Sequence, residues 1–340
     1  MTFTEFRHVG SASFVTGTVG VIVPFLMGYG ISVLLGFDSI VSMVVAAALV
    51  ATSISITSLV LVELKQSRTK EARVMIGAAV VDDVLGLALL GVIVSFITTG
   101  APISLGNVIL VILESLALWL GLVFVITPIL PRIINLTSRG KSEETAEAAA
   151  TASCFGAAAI AAVIGLSPIV GAFAAGMAVA SSNAIEKIRD YAKKISVIFS
   201  PVFFALAGAA FNIQSFITSD LGFYAFFLTL VAVAIVSKMI GCGLPAAHFL
   251  KSRSKGVKVG IGMISRGEVG LIIAGVAISA QVISESVYSA IVGMVILTTI
   301  LTPILLKVAY DGDARKEAKP LEQIFNKSKL SETLYETSEN

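Results

Sequence analysis

The sequence predicts an all-α polytopic membrane protein of about ten transmembrane helices, and three observations carry that prediction. Apolar segments of spanning length recur along the chain, basic residues collect in every second connection, and two spans are interrupted by polar residues at similar depth. Of the 340 residues, 56% are hydrophobic and only 14% are charged, with a mean hydropathy of +0.95. A soluble domain carries about 25% charge, so this balance belongs to a chain solvated by lipid.

In order, the apolar segments lie at about 11–36, 39–63, 70–98, 105–130, 145–165, 167–182, 196–212, 222–250, 257–281 and 285–309. Each reads as a helix. In lipid only helices and closed barrels satisfy every backbone group, and these runs are too long, and lack the alternation, for barrel strands. The second contains a hydroxyl run, Thr52, Ser53, Ser55, Thr57 and Ser58, which offers backbone carbonyls alternative partners and predicts a break. The third holds Asp82-Asp83, and the fourth holds Glu114, an intramembrane acid without an evident partner. Between the sixth and seventh, Asn183–Lys194 is polar on one face and is expected to lie along the surface. The eighth contains Lys238. The ninth is interrupted by Ser265-Arg266-Gly267-Glu268, where Gly267 permits the break. Beyond Asp311 the charged tail is expected to be solvated and partly disordered.

Charge sets the topology. Lys65, Arg68, Lys70 and Arg73, then Arg132, Arg139 and Lys141, then Lys187, Arg189, Lys193 and Lys194, then Lys251, Arg253, Lys255 and Lys258 occupy alternate connections. The intervening ones hold no Lys or Arg, so the positive-inside rule predicts cytoplasmic termini. Only Lys238 and Arg266 escape this pattern, and both fall inside spans.

Depth follows from helical rise. Asp83 is ten residues from Arg73, Glu268 ten from Lys258, Lys238 thirteen from Lys251 and Ser53 twelve from Lys65. Each interval is about 15–20 Å, close to the middle of a hydrocarbon layer about 30 Å thick. An acid there costs about 2.5–3.5 kcal/mol to insert and marks an ion or proton path, or a structural partner of a buried cation. Adjacent helical residues point about 100° apart, so one Asp can pair with Lys238 while the other faces a wet cavity. A neighbouring cation favours the carboxylate and burial disfavours it, so the cavity acid is the one where protons and a metal cation compete. Arg266 and Glu268 are expected to compensate each other or to reach helix ends.

The second span runs inward and the ninth outward, so their interruptions have opposed polarity. Interrupted helices at corresponding positions of inverted repeats point to a secondary-transport site, with spans one to three and eight to ten as the repeats. Other classes fit less well. An intramembrane aspartyl protease needs two acids facing each other from separate helices, which neighbours on one helix cannot provide. A passive channel gives no reason for a charged cluster across its path. No cofactor fingerprint, enzyme motif or nucleic-acid surface is present, and His8 and His248 lack metal-ligand spacing. Cys154 and Cys242, both in spans, read as small apolar fillers.

These residues resemble the second monovalent cation:proton antiporter family, especially sodium:proton antiporters of the NapA kind. The motifs that carry the resemblance are Ala51–Thr57, Gly77–Gly86, Ser167–Gly176, Ser200–Gly208, Ser237–Pro245 and Gly262–Leu271. The resemblance implies two crossed discontinuous helices, in a core domain of residues 1–98 and 222–309. It also implies a linker helix over 99–141, dimerisation or panel helices over 142–221 and a cytoplasmic tail over 310–340. It implies that Asp83 carries the ion, with Thr52 and Ser53 as further sodium ligands, and that Asp82 pairs with Lys238. Electrogenic sodium:proton exchange by an elevator-like cycle in a prokaryotic cell membrane follows, with potassium:proton exchange as the alternative. No cofactor is implied beyond sodium and protons as substrates. Two departures stand out. Ser265 replaces the family's usual Pro, and the family's first two or three spans, which contribute to a homodimer contact, have no counterpart before Met1.

Overall fold

The computed structural model describes residues 10–99, 105–138, 143–164, 166, 168–209, 216 and 220–336, and every regular element among them is a helix. Among the described residues the first helix, α1 (Ser11–Leu34), packs on α2 (Ser39–Val50) and α4 (Lys70–Thr99). Asp38 starts α2 by accepting from the amides of Ile40 and Val41, both at 2.9 Å, which satisfies two donors of its first turn. All of Val41–Val50 is buried, so α2 is apolar on every side because no side of it meets solvent or lipid. After Ala51–Ser53 the span resumes as α3 (Ile54–Glu63).

Helices α5 (Leu105–Ser138), α6 (Glu143–Val163) and α7 (Pro168–Val179) pack on one another, and α8 (Ile185–Ala209) packs on α6. Asp220 caps α9 (Leu221–Lys238) by accepting from Phe223 N–H at 2.9 Å. That span continues through a π-turn, Met239–Gly243, into α10 (Leu244–Leu250). The second interrupted span is α11 (Arg253–Gly262) and α12 (Glu268–Ser279), and α13 (Glu285–Glu336) packs against α9, α11 and α12.

Each of the ten expected segments corresponds to helix, and both predicted breaks are present. Seven stretches among the described residues are long and apolar enough to cross a bilayer, counting α2 and α3 together. At 12 residues α7 extends about 18 Å, short of a full span. Three expectations change. The surface segment before residue 196 is the first half of the continuous helix α8, because no Gly or Pro interrupts Ile185–Ser200. The tail continues α13 as helix to Glu336, in a sequence rich in the helix formers Ala, Leu, Lys and Glu. Lys258, expected among solvated loop cations, is buried with its ammonium 4.1 Å from the centre of the Tyr310 ring, a cation–π contact.

Without a hydrophobic drive between helices in lipid, close packing of small residues decides which faces meet. Gly17 of α1 lies so near α4 that a Cβ there would be 2.6 Å from the Ala78 carbonyl oxygen. This holds the acid-bearing helix against α1.

Candidate ion-binding site

The two breaks cross, and the crossing is stitched by backbone groups that the interruptions set free. Ser53 N–H donates to the Ser265 carbonyl at 2.9 Å, and the Ser265 hydroxyl donates to the Ser53 carbonyl at 2.9 Å. The Thr57 hydroxyl donates to the Gly262 carbonyl, where α11 ends. Gly267 serves the crossing through its size. Its φ is −148°, open to any residue, but a Cβ there would stand 2.5 Å from Ser53 Cβ. The expectation that glycine supplies backbone freedom at this break is therefore corrected to close approach.

Arg266 is fully buried. Its Nη1 donates to the carbonyls of Val50 at 3.1 Å and Ala51 at 3.4 Å, and its Nη2 to that of Ala234 at 2.9 Å. The cation thus caps the C-terminal, electronegative end of α2, an interaction worth up to about 2 kcal/mol when partly buried. The Thr299 hydroxyl donates to the Arg266 carbonyl at 2.8 Å and ties α13 to the same point. Of the two roles expected for Arg266, reaching a helix end is the one found. Glu268 opens α12 and is exposed, a carboxylate at a helix N-terminus, where negative charge is favoured.

Asp82 of α4 and Lys238 of α9 form an ion pair of 2.7 Å with neither side chain exposed. The ammonium also donates to the Gly20 carbonyl at 2.9 Å, whereas Asp82 Oδ2 has no partner among the described residues. Asp83, half-buried, has no hydrogen bond or ion pair among the described residues and lies within electrostatic reach of Asp82, Glu268 and Lys238. The 100° between neighbours separates a locked acid from an unlocked one.

A cavity of about 550 Å³ opens beside the crossing, lined by Ser53, Ser55, Ile56, Ser196, Phe199, Arg266, Gly267, Glu268, Val295 and Thr299. Ser53, Ser55, Arg266, Gly267 and Glu268, all singled out from the sequence, meet there. Thr52 does not join them. It borders a narrow void with Met75, Ile76 and Ala79, and Asp83 stands one and two turns further along that same face of α4. Thr52 and Ser53, expected as joint ligands with Asp83, therefore face different spaces, because the extended backbone of the break turns successive side chains apart. Glu114 is exposed and eighteen residues from Arg132, about 27 Å by helical rise, which separates it from this layer. Cys154 and Cys242 are free thiols. Sequence reasoning passed over Thr299, Ser196 and the Gly20 carbonyl. No local pattern marks the first two, since only the fold brings α8 and α13 to the crossing.

A profile of the family described as "Sodium/hydrogen exchanger, transmembrane" matches residues 1–309. The chain is 33% identical over 319 residues to the high-affinity Na(+)/H(+) antiporter NhaS3 of Synechocystis, covering 92% of this chain and 68% of that one. It is 33% identical over 292 residues to the Na(+)/H(+)-K(+) antiporter GerN of Bacillus cereus, covering 86% and 73%. The fold is similar to that of the sodium proton antiporter MjNhaP1 of Methanocaldococcus jannaschii, with a TM-score of 0.64 at 14% identity over 92% of this chain and 80% of that one.

Proposed function

The chain belongs to the sodium/hydrogen exchanger family, and from that premise we propose that it exchanges sodium ions for protons across a membrane with Asp83 as the group that carries them. It is an integral membrane transporter, not an enzyme. One observation supports the assignment to Asp83 above all others. Of two adjacent acids at the level of the crossed breaks, Asp82 is held by a buried cation and Asp83 is held by nothing among the described residues. A carboxylate without a fixed counter-charge binds either a proton or a metal cation, and that exclusion is what couples the two fluxes.

In this reading Lys238 is the charge partner of Asp82, and Thr52 lies on the face nearest the carrier. Ser53, Ser55, Arg266, Gly267 and Glu268 shape the vestibule. The core is residues 1–98 with 222–309, and it moves against the panel 142–221 through the linker helix 99–141 in an elevator-like cycle, as a homodimer. Packing of α1 on α2 and α4, and of α5 to α7 on one another, supports such a division. Exchange is electrogenic, and the membrane is a prokaryotic cell membrane with both termini cytoplasmic. No cofactor takes part; sodium and protons are cargo.

The test is exchange by purified protein in proteoliposomes. Asp83→Asn is expected to abolish it, and undiminished exchange rejects the assignment. A second reading has a specific basis, since the name of GerN includes potassium. Competition between sodium and potassium in the same vesicles separates the two.

A further inference from the structure

Lys238 holds two acceptors, and only one of them is charged. Besides Asp82 Oδ1 at 2.7 Å, its ammonium donates to the Gly20 carbonyl at 2.9 Å, in the middle of α1. A carbonyl inside an α-helix ordinarily accepts from the amide four residues later. Four residues after Gly20 stands Pro24, buried and within α1, which has no amide hydrogen. The proline ring also presses on the carbonyl four residues before it and tilts that group off the helix axis.

The surroundings bring this carbonyl within reach of the lysine. The π-turn Met239–Gly243 follows Lys238 directly and packs on α1. A Cβ on Gly241 would stand 2.9 Å from the Val19 carbonyl oxygen and 3.2 Å from Gly20 Cα, so the two backbones touch at this level. A Cβ on Gly20 would overlap the sulfur of Cys242. Both helical ladders are thus irregular at the one height where Lys238 crosses between them.

We propose that Pro24 is a positioning residue for Lys238: by removing one amide it frees the Gly20 carbonyl as a second, uncharged acceptor for the buried ammonium. Lys238 then keeps a partner whenever the Asp82 side chain turns away, and stays in register through the cycle. This rests on the reading of Lys238 as the charge partner beside Asp83.

The test restores the amide. Pro24→Ala is expected to leave the full-length protein folded, because alanine adds a helix hydrogen bond, and Pro24→Val serves as a second amide-bearing variant. In proteoliposomes both displace the pH profile of sodium–proton exchange by about one pH unit, the size of a lost hydrogen bond to a charged group. In thermal melts, Pro24→Ala combined with Asp82→Leu, whose side chain offers no oxygen, lowers Tm by more than the two single changes together, since the ammonium then has no acceptor. The inference stands only if both effects are seen; a profile equal to that of the unmodified protein, or additive melting, overturns it. Normal exchange by Asp83→Asn would instead remove the functional reading, while the melting cycle still decides the role of Pro24.

Discussion

Ser53 and Ser265, 212 positions apart, exchange two hydrogen bonds of 2.9 Å across the point where the two interrupted spans meet. One uses a backbone amide and the other a side-chain hydroxyl, so only half of this link is open to mutation. Ser265→Ala leaves the buried Ser53 carbonyl short of a donor and is expected to cost about 1–3 kcal/mol. Chemical or thermal unfolding measures it. Ser265→Pro, which supplies the residue usual in the resembled family, loses the same hydroxyl bond and is expected to fall in the same range.

Gly267→Ala places a methyl group 2.5 Å from Ser53 Cβ and 3.3 Å from its Cα, too close for the two breaks to keep their spacing. The crossing has to open by several tenths of an ångström, a strain of about 1–3 kcal/mol. Because the displaced atoms line the cavity, exchange is expected to fall more steeply than stability, and parallel melting and flux measurements compare the two.

Lys238→Ala leaves Asp82 buried with no counter-charge and is expected to destabilise by about 3–5 kcal/mol. Removing both charges, with Asp82→Asn and Lys238→Met, is expected to recover most of that loss. A double variant that melts as low as Lys238→Ala would show that the pair is not the source of the cost. Transport current in the same variants separates a structural partner from one that moves charge.

Glu268→Gln removes an exposed carboxylate from the cavity wall. Stability is expected to change by less than about 0.5 kcal/mol, as at other exposed positions. Without the attraction of that charge for entering cations, the KM for sodium is expected to rise several-fold while kcat holds. A salt series discriminates, because the effect shrinks as ionic strength grows.

Much of the site was legible because bilayer chemistry makes rare residues informative. Asp83, Lys238, Glu268 and the hydroxyl run at Ser53 stand out against apolar neighbours, and counting along helices from basic residues put them at one depth. The breaks at Ala51–Ser53 and Met263–Gly267 fall where polar residues interrupt the spans. That Arg266 reaches a helix end was one of two expectations, but which end was not legible, since its partners are carbonyls of Val50, Ala51 and Ala234, and a backbone oxygen carries no letter in the sequence. The separation of Thr52 from Ser53 was hidden for a similar reason, as it depends on the torsions of three residues. Ser196 and Phe199 reach the cavity only through packing of distant helices.

The oxygen atoms that end α2 are already taken by Arg266. If the proposed site carries the ion, a metal cation arriving there finds the Val50 and Ala51 carbonyls already bonded to a resident guanidinium and is left with a carboxylate, a few hydroxyls and its own hydration shell. Such a sphere has no rigid ring of dipoles cut to one ionic radius. On that reading, discrimination between alkali ions falls to how willingly each sheds water, and competition between sodium and potassium in flux measurements is expected to be graded rather than absolute.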